Sequence, residues 1–63
     1  MTEADTLERI RRVIETTSTL IGVAERLDRL VRDEETVRAL SCLRRAKAHF
    51  EVAEVKLEGK NGR

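Results

Sequence analysis

From Leu7 onward the apolar residues return at steps of three and four: Leu7, Ile10, Val13, Ile14, Leu20, Ile21, Ala24, Leu27 and Val31, with Val23 and Leu30 broadening the band. That is the period of an α-helix whose apolar stripe is wide enough to cover more than one neighbour. Thr2 and Asp5 stand at capping-box spacing, and Glu3 and Asp5 suit the positive end of a helix dipole, so this helix is expected over about residues 3–31. Arg32-Asp33-Glu34-Glu35-Thr36 breaks the pattern. A turn at about 32–34 is predicted there, with Asp33 as the N-cap of a second helix over about 35–58. In that helix Ala39, Leu43, Ala46, Phe50, Ala53 and Leu57 step by 4, 3, 4, 3 and 4. This heptad seam alternates small and large residues, so a partner helix could approach at the alanines and interlock at the larger side chains. Gly59 reads as a C-cap and residues 59–63 as a flexible tail.

Two helices joined by so short a turn must run antiparallel, so the predicted fold is an all-α helical hairpin. Pairing residue i with residue j where i and j sum to about 66 sets Thr16–Thr19 opposite Ala48–Glu51. One hairpin cannot bury both of its stripes, and 63 residues give little interior. Homo-oligomeric assembly, from dimer to hexamer, is therefore expected, as a four-helix bundle or a larger ring, with the second-helix seam as the self-association surface.

Thirteen Lys and Arg against twelve Asp and Glu leave a net +1, so no global field draws the chain to nucleic acid or to a membrane. No segment has the roughly 20 apolar residues needed to cross a bilayer, and MTEADTLERI lacks a signal-peptide core. The single Cys42 can form no internal disulfide, which fits a reducing cytoplasm. Cys42 and His49 are two helical turns apart, roughly 10 Å along the axis, too far for a nucleophile and its base. One His and one Cys cannot complete a metal site. No catalysis, cofactor or metal is expected, and both residues read as core or interface side chains.

Chemistry gathers in one place. Thr16, Thr17, Ser18 and Thr19 put four hydroxyls where a helix interior is expected, followed by Gly22. At 100° per residue only one or two of them face inward, Thr17 foremost. They either bond the carbonyls of the preceding turn or, beside a glycine that permits close approach, line a polar pocket between subunits. Arg44, Arg45 and Lys47, with His49 just beyond, form the densest cationic run of the second helix, and Arg9, Arg11 and Arg12 form another in the first. Such residues are either a solvated face with pairs such as Glu8 to Arg12, or a grip for phosphates.

From Val23 the chain reads V-A-E-R-L-D, then a turn with Glu35, then A-L-S-C-L-R-R-A-K-A-H-F-E-V-A. This resembles the hairpin domain of phage anti-CBASS proteins, the cyclic-oligonucleotide sponges, with Glu35, Ala39, Leu40, Ser41, Leu43, Ala46 and Ala53 in matching places, and Ala24, Glu25 and Leu27 matching the end of the first helix when one residue is gapped. The resemblance covers about half the chain and implies a non-enzymatic oligomer that sequesters cyclic di- or trinucleotides between subunits. Arg44 and Arg45 stand where that family tends to be acidic, and His49 replaces its tryptophan, so no ligand contact transfers directly. The ligand residues expected here are Arg44, Arg45 and Lys47 for phosphates and Thr17, Ser18 and His49 for polar groups. Two other expectations stand beside it. One is a small inhibitor or adaptor docking an apolar helix on a host protein. The other is an RNA-binding regulator similar to Rop, whose RNA-binding row would fall here on Glu3, Ile10, Ile14, Ser18 and Glu25.

Overall fold

A computed structural model describes residues 2–61, apart from the side chains of Glu3, Lys60 and Asn61. Two helices, α1 (Glu3–Val31) and α2 (Glu34–Asn61), lie side by side in a rod of 47 × 15 × 14 Å. The start of α1 is the expected capping box: the Asp5 N–H donates to Thr2 Oγ1 at 3.1 Å and the Thr2 N–H to Asp5 Oδ2 at 3.4 Å. At the other end Arg32 takes a left-handed backbone, φ 50 and ψ 44, and its N–H donates to the Asp28 carbonyl at 2.9 Å. That single residue stops the helix and reverses the chain. Asp33 follows at the N-cap position, its carbonyl accepting from the Val37 N–H, and Glu34 and Glu35 place negative charge on the first turn of α2.

The far end of α2 departs from expectation. The helix runs through Gly59 to Asn61 with no positive φ at glycine among the described residues. Gly59 therefore continues the helix, and of the expected tail only Gly62 and Arg63 lie outside the described residues. Glycine costs a helix interior about 1 kcal/mol, too little to end it while good helix formers flank it on both sides.

Burial divides the broad stripe of α1 in two. Leu7 and Thr17 are buried, and Ile10, Ile14, Ile21, Ala24 and Asp28 are half-buried, at alternating steps of three and four. Val13, Leu20, Val23, Leu27, Leu30 and Val31, part of the same apolar pattern, stay exposed. On α2 the inward side chains are Thr36, Leu40, Leu43, Lys47, Glu54 and Leu57. Of the expected seam, Leu43 and Leu57 thus turn toward α1 of the same chain, while Ala46 and Ala53 are half-buried and Ala39 and Phe50 are exposed. Only Leu7 and Leu40 are buried apolar side chains among the described residues, and no side chain is fully enclosed.

Candidate functional site

The helices are tied along one flank by charge. Arg11 donates from Nε to Glu54 at 3.0 Å and from Nη2 to Glu58 at 2.7 Å, while Arg44 Nη2 meets Glu25 at 3.2 Å. The two hydrogen bonds from Arg11 hold its guanidinium above its ordinary pKa, the one to Glu58 contributing most and the one to Glu54 next. These pairs set the register, since their residue numbers sum to between 65 and 69, around the value expected for a hairpin folded at Asp33.

The hydroxyl run is accounted for locally. Thr17 Oγ1 donates to the Val13 carbonyl at 2.7 Å, and Thr19 Oγ1 to the Glu15 carbonyl at 3.2 Å. Thr17 is 8% exposed, a hydroxyl inside the inner stripe that satisfies itself on its own helix. Gly22 makes room for nothing in the single chain, because a Cβ built there meets no atom within 4 Å.

The six expected ligand residues do not converge. Arg44 sits on the ion-paired flank and is held by Glu25. Lys47 is half-buried in the inner stripe, whereas Arg45 and His49, one turn apart, are exposed on the outer side of α2. Thr17 is spent on Val13, and Ser18 is half-buried on α1. Cys42 is also exposed, against the expectation of a core residue, because it falls opposite the inner stripe of α2. Among the described residues no three His, Cys, Asp or Glu side chains gather as metal ligands would, and no helix is long and apolar enough to cross a membrane.

Two features escape a reading from periodicity. An open cleft of about 420 Å³ lies along the outer side of α1, lined by Arg9, Arg12, Val13, Thr16 and Thr17. Arg9 has no carboxylate within 4 Å among the described residues, and Arg12 only Glu8 at 3.6 Å. Asp28, in the inner stripe beneath the turn, keeps Oδ1 buried without a hydrogen-bond partner. A sequence pattern that scores apolar residues passes over an aspartate at a core position. No family model, curated protein or solved structure matches this chain.

Proposed function

We propose that this hairpin is a non-enzymatic binding protein that works as a homo-oligomer. The surface it exposes carries this reading. A compact monomer of 7.2 kDa should show about 4,100 Å² of accessible surface. This chain shows 5132 Å². The excess, about 1,000 Å², matches the roughly 800 Å² that each partner contributes to a standard interface. Among the described residues ten large apolar side chains lie on that surface, more than a solvated rod needs. Two such rods side by side approach the proportions of a compact bundle.

The ligand that fits best is a cyclic di- or trinucleotide held between copies, supported by the likeness of α2 to the sponge hairpins. Arg45, Lys47 and His49 have no carboxylate within 4 Å among the described residues, which leaves the charges of Arg45 and Lys47 and the imidazole of His49 for a ligand. Arg44 would have to leave Glu25 to take part, and Thr17 would have to leave Val13. Native mass spectrometry, alone and with a panel of cyclic di- and trinucleotides, tests both levels. A discrete oligomer that gains a fixed number of nucleotides, and loses them in Arg45→Ala/Lys47→Ala, is expected. An oligomer that ignores every nucleotide would remove the ligand assignment. A monomer at every concentration would overturn the whole reading and leave the apolar flank to a helix-binding partner protein.

A further inference from the structure

The homo-oligomer reading leaves open which face closes the assembly, and the exposed half of the α1 stripe answers it. Val13, Thr16, Leu20, Val23, Leu27 and Leu30 step by 3, 4, 3, 4 and 3, as regular a seam as the buried one. At 100° per residue it lies about 100° round the helix from the buried stripe. It also lies on the flank opposite Arg11 and Glu25, whose pairs with Glu54, Glu58 and Arg44 close the other side of the hairpin. On this open flank α2 brings Ala39, Ala46 and Ala53, one every seventh residue. Val13 falls level with Ala53, Leu20 with Ala46 and Leu27 with Ala39, within the register that the ion pairs set. The open flank thus carries a row of large side chains on α1 beside a row of methyl groups on α2, a surface against which another helix can pack.

We infer that Val13, Thr16, Leu20, Val23, Leu27 and Leu30 form a self-association face on which a second copy packs its own α1, antiparallel, about a two-fold axis between Leu20 and Val23. The proposal rests on the homo-oligomer reading and moves the interface from the α2 seam expected from sequence to α1. A second copy is the occupant because the face is complementary to itself. Leu30, the most exposed large apolar residue at 84%, protrudes at one end of the seam. The open cleft around Val13 and Thr16 lies at the other. Antiparallel pairing about the stated axis seats Leu30 of one copy at the partner's Val13, Leu27 at the partner's Thr16 and Leu20 at the partner's Val23. The charges agree with this direction. Arg9 and Arg12 border the cleft, and beyond Leu30 come Arg32 and then Asp33 and Glu34, none of the three with an ion pair among the described residues; the register that seats Leu30 at the partner's Val13 sets Glu34 level with the partner's Arg9. Antiparallel packing brings those opposite charges together, whereas parallel packing would stack Arg9 and Arg12 against their own copies.

Two experiments test the face and its direction. Sedimentation across a dilution series should show an oligomer for the native chain and for Val52→Glu/Val55→Glu on the outer side of α2, and a monomer for Leu20→Glu/Leu27→Glu. Cysteine crosslinking in a Cys42→Ser background reads the direction without relying on a folded monomer. Leu20→Cys should form a disulfide dimer, because the two copies of that position lie about 5 Å apart along the axis. Leu30→Cys alone should not, its copies being about 26 Å apart, and Val13→Cys/Leu30→Cys should. Crosslinking of Leu30→Cys alone would overturn the antiparallel arrangement. An oligomer that survives Leu20→Glu/Leu27→Glu would overturn the face while leaving the oligomer reading intact. A native chain that stays monomeric would overturn both.

Discussion

Arg32 holds the turn in a conformation that its own Cβ crowds, φ 50 and ψ 44. A non-glycine residue there costs about 1–2 kcal/mol, and glycine would remove that cost while giving back up to about 1 kcal/mol of unfolded-chain entropy. Arg32→Gly should therefore raise stability by about 0.5–1 kcal/mol, a few degrees in thermal midpoint for a chain of this size. Circular dichroism melts at one fixed protein concentration read it directly, and a lower midpoint would mean that the turn carries no strain. Asp28 is the second costly residue, with a buried carboxylate oxygen that nothing satisfies. An orphaned buried acceptor costs about 1–3 kcal/mol, so Asp28→Leu should stabilise the hairpin by at least about 1 kcal/mol in a chemical denaturation series. Thr17 is the contrasting case. Its hydroxyl is already paired within its own helix, so Thr17→Val should move stability by less than about 1 kcal/mol. A loss of nucleotide binding in that variant, with the melt unchanged, would show the hydroxyl reaching a ligand.

Between the elements, what matters is which flank of each helix is closed. The flank of Arg11, Glu25, Arg44, Glu54 and Glu58 is laced by ion pairs between exposed and half-buried side chains, which are screened by salt. Arg11 has its folded pKa raised, so its contribution is complete at every pH below the ordinary guanidinium value and fades only above it. The stability owed to Arg11 protonation should accordingly stay flat between neutral pH and pH about 10, a range in which a guanidinium stays fully protonated. In a pH series, Arg11→Ala and the native chain should keep a constant difference in midpoint over that range. The glycines belong to this scale too. Gly22 and Gly59 are both helical, and a Cβ on either meets nothing within 4 Å. Gly22→Ala and Gly59→Ala should each add about 1 kcal/mol. Because Gly22 lies toward the ion-paired side of α1, its substitution should also leave the oligomer intact, which sedimentation can check.

For the whole molecule, exposed surface decides the behaviour. The rod leaves more surface in water than a compact monomer of its mass, and large apolar side chains lie on it. If a second copy covers it, folding and association are one equilibrium. The thermal midpoint should then climb with protein concentration, by mass action, and Leu20→Glu/Leu27→Glu should lower it and flatten that dependence. A midpoint unchanged over a wide dilution series would show that each hairpin stands alone. The scattered ligand candidates are read at this scale as well. Arg45 and His49 look outward, Lys47 inward and Arg44 toward Glu25. No single chain assembles them into a pocket, so any nucleotide they share must be held by more than one copy.

The two helices, the capping box at Thr2 and Asp5, the reversal near Asp33 and the antiparallel pairing were all legible from the order of residues. Each depends on local preferences and on a period that no neighbour can alter. The inside of the hairpin was not legible. Val13 and Ile14, or Leu20 and Ile21, satisfy the same three-and-four rhythm equally well, and one helix cannot say which of two apolar stripes its partner will cover. Pairing with α2 made that choice, by turning Leu40, Leu43 and Leu57 inward and tying Arg11 and Glu25 to α2 along one flank. Arg32 in a left-handed backbone and Gly59 inside a helix escaped notice because residue type only biases backbone conformation, and a bias of about 1 kcal/mol gives way to the closing of a turn at Arg32 and to the helix formers on either side of Gly59. The polar layer at Thr17 was visible as residues, but whether its hydroxyl faced a ligand or its own helix was a matter of geometry, and the Val13 carbonyl is the atom within reach.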